Sequence, residues 1–518
     1  MKKLIAILCG LAVMSAAHSQ TTVSADFTQF GINNGNATVK LNVNEHTTPN
    51  SSALLYADYR SMFDISFSLL CNTLGTEQVF LCKDGKAGEM FADLSVGYDP
   101  MLRQVFVEMK DCNGKLHRMG VGNEVKTGTW YDISLSSRYN AKRHKSTLTM
   151  TVSEEDGSKS ANSLEYPGYA LRYNVGRWVV GHGFPGGFPN SLQVRNGEMK
   201  SLAISGTGLE RLKGQNPIFT DRHTADPACL VSNGKVYAYV GEDKAALSGW
   251  FNMPHWVCYS TDDMKSWTCH GKVLCAADFS YANPNGAWAA QVVEHEGKYY
   301  FYVTLDDRRN GKHTIDVAVA NSPTGPFRPA RPDGSPIITD DMTPDSHRPN
   351  ADIDPTVLID TDGTPWMAWG NGDCYMVRLN KNMTDIDGEI KKTPMRNFSE
   401  GPWLFKRGEW YYNVYAADAP GVQSEQMAYS MSKSINGPWI YGGLLTSSAK
   451  HGFTIHPSVI DFKGKWYLFY HDGSYMINGE PEGDCRRSVC VEHLHFNKDG
   501  SIKPITLTEE GISQERRR

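Results

Sequence analysis

The sequence calls for an all-β protein: an N-terminal β-sandwich (jelly roll) followed by a five-bladed β-propeller. Three observations carry that reading. Residues 20–210 alternate polar and apolar side chains over short runs, and the remainder repeats one hairpin layout five times. Aromatics make up 11% of the chain, beside 48 glycines and 25 prolines, a composition that favours strands and tight turns over helices.

The chain opens "MKKLIAILCGLAVMSAAHSQ", two lysines, an apolar run and small residues. This reads as a secretory signal over residues 1–19, cut before Gln20, with a run too short for a membrane anchor. The expectation is an exported protein, secreted or periplasmic, with no membrane insertion. With 40% apolar and 21% charged residues the chain is globular, and a formal charge of −5 argues against nucleic acid as a partner. Eleven cysteines, ten of them beyond the leader, are scattered without zinc-site spacing. Cys485 and Cys490 pair in an oxidising compartment or are buried thiols; their spacing leaves both open.

In residues 20–210 the runs "NATVKLNV", "RQVFVEMK", "WYDISLSS" and "STLTMTVS" have period two and end in Asn, Gly, Asp or Ser clusters. Half-buried antiparallel strands have that pattern, and eight or more of them make a two-sheet sandwich. Gly181, Gly183 and Gly186 spell GxGxxG, but no helical pattern follows, so a glycine-rich turn is expected rather than a dinucleotide loop. "SEEDGSKS" is expected at a solvated hairpin tip. The stretches "GTWYDISLS" and "RWVVGHGFPGGFPNSLQVRNGEMKSLAISG" loosely resemble strands of laminin-G-like and concanavalin-like domains. This half shows no catalytic constellation.

From residue 211 onward the grammar changes. "DPACLVSNGKVYAYV", "AAQVVEHEGKYYFYV", "DPTVLIDTDGTPWMAW", "GPWLFKRGEWYYNVY" and "HPSVIDFKGKWYLFYH" each read apolar strand, glycine turn, aromatic strand. They recur every 45 to 65 residues or so, with secondary pairs such as "VCYSTDDMKSWT" between them, which gives about four strands per unit and five propeller blades. The innermost strand of each blade lines the axis, so the residues at the five strand thresholds should converge. These are Asp226, the Trp288–Gln291 region, Asp354, Glu400 and His456. Pro227, Pro355 and Pro457 bias the residue before them to extended backbone, which aims its side chain.

Glycoside hydrolysis needs an acid for the leaving oxygen and a carboxylate across the bond. A third carboxylate, held ionised beside the acid, keeps that acid protonated near neutrality. Calcium binding is the competing reading, though it favours ligands close together in one loop. On "TADPACLV", "DIDPTVLIDTDG", "SEGPWLFKRGEWYY" and "HPSVIDFKGKWYLFYHD", the second half resembles glycoside hydrolase family 43 from about Asn216 to Ile505. The resemblance implies an inverting mechanism with no cofactor required for the chemistry. Asp226 matches the general base, Glu400 the general acid, and Asp354 the acid that tunes and orients Glu400; base and acid should lie about 6.5–9.5 Å apart. Trp288, Gln291 and Phe251 are expected at the sugar, with core packing the other reading for Phe251. Arg487 is expected to reach the substrate or to form a structural ion pair, with Arg486 the alternative. The family also suggests a structural calcium ion on the axis, held mainly through water near His456; the other reading is a histidine satisfied by backbone.

The expected partner is an oligo- or polysaccharide, and the expected activity exo-acting α-L-arabinofuranosidase on plant hemicellulose or arabinan side chains. A β-xylosidase, or a galactan- or galactofuranose-directed hydrolase of the same fold, is the alternative within the class. A non-catalytic carbohydrate-binding protein is the alternative outside it. Invertase-like enzymes are disfavoured because Asn-Asp-Pro-Asn-Gly is absent.

Overall fold

The computed structural model describes residues 22–30, 39–42, 52–53, 59–85, 91–171, 178–181, 183, 196–209, 211–246, 249–422, 424–449, 452–473, 475, 477 and 483–513. The expected signal segment lies outside them. The chain divides into two compact units, Met1–Arg211 and Leu212–Arg518. Their described residues are strands and loops, with helix confined to three short 3₁₀ turns. No helix among these residues is long and apolar enough to cross a membrane.

The first unit holds two antiparallel sheets around one core. One carries Met62–Cys71, Trp130–Asn140, Lys145–Glu154, Lys159–Pro167 and Asn196–Thr207; the other carries Gln78–Lys83, Leu94–Asp99, Gln104–Lys110 and Leu116–Val121. Alternation does the sorting. Tyr131, Ile133 and Leu135 turn inward from "WYDISLSS", as do Leu148, Met150 and Val152 from the paired strand, and they meet Val96, Tyr98, Val105 and Val107 of the other sheet. "SEEDGSKS" forms the turn between Lys145–Glu154 and Lys159–Pro167, with Gly157 at φ +85°. Gly181, at φ +76°, directly follows the strand Trp178–Val180; Gly186 lies outside the described residues.

The second unit is a ring of five antiparallel sheets. Their innermost strands are Thr224–Ser232, Ala282–His295, Thr356–Ile359, Phe398–Arg407 and Ser458–Phe462, each followed by its hairpin partner. Asn233–Gly234, Glu296–Gly297 and Lys463–Gly464 have positive φ at both central turn residues. That is the type I′ geometry that matches strand twist, and it explains the glycine in these three repeats. Four sheets have four strands, but the fifth has three, ending at Ser488–Leu494. Residues 216–224 lace its open side: Ile218 N donates to Val489 O (2.8 Å), Thr224 N to Arg487 O (2.8 Å), and Val491 N to Asn216 Oδ1 (2.8 Å). The start of the propeller is thereby tied to its end, which brings Arg487 beside Asp226.

Blades also bond to each other along the axis. Thr356 Oγ1 accepts from Leu404 N (3.0 Å), Ser458 Oγ from Cys229 N (3.0 Å), and Gln291 Oε1 from Val357 N. Each tie satisfies a buried backbone donor that the strand ladder leaves unpaired. Cys485 and Cys490 are buried thiols.

Candidate active site

Asp226 and Asp354 do not adopt the extended backbone expected before proline. Their φ values are +51° and +60°, and Gly401, next to Glu400, is at +59°. At Asp226 and Gly401 the reason is a bulge, whereas Asp354 lies just ahead of its strand, Thr356–Ile359. Pairing registers shift between Ala225 and Ala228 in blade 1, between Ala287 and Ala290 in blade 2, and between Glu400 and Trp403 in blade 4. A bulge re-aims one side chain out of the ladder, and aspartate tolerates the positive φ that this requires better than larger residues do. Local hydrogen bonds hold the strained backbone: Asp226 N donates to His471 Nδ1 (3.2 Å) and Asp354 N to Thr304 Oγ1 (2.8 Å).

Asp226 is 8% exposed and sits against a cation. Arg487 Nη1 donates to Asp226 Oδ1 (3.1 Å), and His471 Nδ1 lies 3.2 Å from the same oxygen. Among the described residues both contacts fall on Oδ1, leaving Oδ2 for other partners. Arg487 is fixed in turn by Asp243, a buried carboxylate that accepts its Nε (3.0 Å), Nη2 (3.0 Å) and backbone N (2.8 Å). Burial pushes the Asp226 carboxyl up, but the Arg487 guanidinium outweighs burial and holds it well below the usual carboxylate range.

Asp354, 5% exposed, is placed differently. Its Oδ2 accepts Gly401 N (3.0 Å), and the nearest basic group is His456 Nδ1 at 3.8 Å. Burial and the charges of Glu400 and Asp226 push its carboxyl well above the usual range. Glu400 itself is half-buried. Burial first, then the charge of Asp226, raise its carboxyl to about 7 against the pull of Arg487 and Arg348. The charge that raises Glu400 therefore comes from Asp226, not from an ionised Asp354 as the sequence reading had it, because Arg487 stands beside Asp226 and no such cation stands beside Asp354.

The family model "Glycosyl hydrolases family 43" matches residues 214–502, more than half of the chain. The chain belongs to glycosyl hydrolase family 43. It is 27% identical over 344 residues to xylosidase/arabinosidase 43A of Humicola insolens, covering 55% of this chain and 98% of that one. It is 28% identical over 338 residues to a xylosidase/arabinosidase of Bacteroides ovatus (56% and 96%). An arabinoxylan arabinofuranohydrolase of Bacillus subtilis is 26% identical over 365 residues (62% and 70%).

Within this family 43 domain the other sequence-derived residues separate. Phe251 lies under the Arg487 guanidinium (4.6 Å), which places it beside the Asp226 pair, and Trp288 stands edge-on to Phe251 (6.1 Å). Trp288 is held by Asp306, which accepts its Nε1 (2.8 Å). Gln291 does not join them. It is buried, its carboxamide oxygen binds Val357 N, and it lines a separate cavity of about 630 Å³ with Leu230, Leu358 and Phe405. A long polar side chain there serves the blade seam. Arg486 turns away to Ala245 O (2.6 Å), leaving Arg487 as the arginine at the acids.

His456 is buried, and burial lowers its imidazole to about 4, so it is neutral. Its ring packs on Gly401, where an added Cβ would stand 2.9 Å from Nδ1; close approach and positive φ both require glycine there. Calcium takes about six to eight oxygens. His456 offers a nitrogen, Asp354 already accepts Gly401 N, and no metal-holding group of three His, Cys, Asp or Glu occurs among the described residues. These side chains do not fit a directly bound calcium ion, and no step below depends on one.

Four residues at this mouth escaped sequence reasoning: His471, Asp243, Thr304 and Glu425. Glu425 is a buried carboxyl accepting Ser399 Oγ (2.6 Å) and Ile455 N (3.1 Å), and burial and Glu400 push it well up. A signal for most of them was present. The aromatic second strands run out in "YVGED", "YVTLDD", "YAAD" and "YHD", placing polar residues at the same end of each blade.

Proposed function

We propose that this chain is an exported, inverting, exo-acting α-L-arabinofuranosidase acting on side-chain sugars of plant hemicellulose or arabinan. The observation that carries the reading is a pair of carboxyls in opposite states at one propeller mouth. Asp226 is ionised with Oδ2 open, while Glu400 keeps a proton up to about pH 7. Asp226 Oδ2 takes a proton from water as the water oxygen attacks the anomeric carbon. Glu400 gives its proton to the glycosidic oxygen as the C–O bond breaks. The sugar leaves with inverted configuration, Asp226 ends protonated and Glu400 ionised, and solvent restores both. Asp354 acts by position: its bond to Gly401 N fixes the bulge that aims Glu400. Phe251 and Trp288 supply an apolar wall for the sugar.

The names of the relatives support arabinofuranoside or xyloside as the substrate class, and β-xylosidase is the second reading. Purified protein should release nitrophenol from the arabinofuranoside faster than from the xyloside. Silence on both, and on arabinoxylan oligosaccharides, would refute glycosidase action. Proton NMR of the first-formed sugar should show the inverted anomer. Glu400→Ala should slow poor leaving groups far more than activated aryl ones; equal losses would remove Glu400 as the acid. Export is checked by an N-terminus beginning at Gln20.

A further inference from the structure

Trp250 exposes 71% of its surface. A single exposed apolar side chain is ordinary, but Trp250 is not single. Its indole stacks on Phe453, itself 36% exposed, with centroids 5.9 Å apart and planes 21° from parallel. Both rings touch Phe251, at 5.2 and 5.6 Å. Phe251 in turn lies under the guanidinium that pairs with Asp226. Aromatic surface therefore runs without a break from solvent to the acids. It is assembled from two distant stretches, the loop after Lys235–Glu242 and the lead-in to Ser458–Phe462. Packing alone would hide these rings, since water-exposed apolar area costs about 25 cal/mol per Å².

We propose that Trp250 and Phe453 form a stacking platform for main-chain sugars of the substrate, the neutral pyranose units beyond the bond being cleaved. The inference rests on the glycosidase reading for its direction, since the terminal sugar occupies the acids and Phe251. A pyranose ring presents a flat face of C–H groups, which matches the electron-rich face of an indole. That match requires no charge on the sugar. Continuity with the acid pocket makes the occupant the rest of the substrate chain.

The test uses the full chain and two readouts. In the first, kcat/KM on wheat arabinoxylan is divided by kcat/KM on nitrophenyl arabinofuranoside. Trp250→Ala should lower this ratio about tenfold, and Trp250→Phe should restore most of it. In the second, retention on an arabinoxylan gel is compared between Asp226→Asn and Asp226→Asn combined with Trp250→Ala. The doubly substituted chain should bind about tenfold more weakly. Unchanged rates on both substrates with unchanged retention overturn the platform and leave the activity intact. Weaker retention of the doubly substituted chain, where the wild type hydrolyses neither substrate, supports the platform and refutes the activity. An equal fall on both substrates, without loss of retention, makes Trp250 a pocket residue and also overturns the proposal.

Discussion

Blades 1 and 3 open in the same way and end in opposite chemistry. Asp226 and Asp354 both precede proline, both have φ near the left-handed region, and both are nearly buried. Asp226 faces Arg487 and His471 and is held ionised; Asp354 faces a backbone N–H and a neutral imidazole and is pushed towards its protonated form. Repetition of a motif thus fixes where a carboxyl points, and its neighbours from other parts of the chain fix its charge. Arg487 lies 261 positions from Asp226 in sequence, and only closure of the ring joins them.

The largest break in this comparison is Asp226→Asn. Asparagine tolerates the same backbone but cannot accept the proton, so kcat/KM should fall about 10³-fold. It also removes the charge that Arg487 faces, so stability should fall, though less than on loss of Arg487 because Asp243 still holds the guanidinium. Asp354→Asn keeps an acceptor for Gly401 N and removes a charge that Asp354 rarely carries. Its loss should be smaller, about tenfold to a hundredfold, through a misplaced Glu400. Equal losses at the two aspartates would erase the distinction between them.

Arg487→Met sharpens the contrast by turning blade 1 into a second blade 3. It strands Asp226 and Asp243 without their cation and should cost about 3–5 kcal/mol by denaturant unfolding. The sign with pH follows from the depressed Asp226 group. Its stabilisation is present above the unfolded value of about 3.9 and is lost as pH falls through the lower folded one. In the variant, Asp226 rises, so the acid limb of kcat/KM should move to higher pH; an unmoved limb would show that Arg487 does not set that charge. Smallest is the wild-type response to pH. Glu400 must be protonated, so kcat/KM should fall about tenfold per unit above pH 7 or so.

Much of this was legible in the sequence because it is periodic. Alternation gave the sandwich strands, and the glycine turns gave the five hairpins, since a tight turn leaves a local signature. The convergence of Asp226, Asp354 and Glu400 was legible because a carboxylate at a strand entrance recurs at matching places. Charge states were not legible, since Arg487 and His471 reach Asp226 from a loop and a strand of the fifth blade, and Asp243 acts through Arg487 from the loop after Lys235–Glu242. The backbone at Asp226 was misread because the proline rule is local, whereas the bulge is set by pairing with the neighbouring strand; at Asp354 the backbone N–H is drawn to Thr304 of another blade. Gln291 was misplaced because the register of its own strand shifts between Ala287 and Ala290, so three residues after Trp288 its side chain already faces the seam.

Carboxyl ¹³C NMR on protein labelled at Asp and Glu, titrated from about pH 4 to 8, reads the two charge states without any substrate. The resonance lost in Glu400→Gln should titrate near 7, and the one lost in Asp226→Asn should stay at its ionised position throughout. A Glu400 signal already ionised at about pH 5, or an Asp226 signal that moves with it, would contradict the division of labour between them.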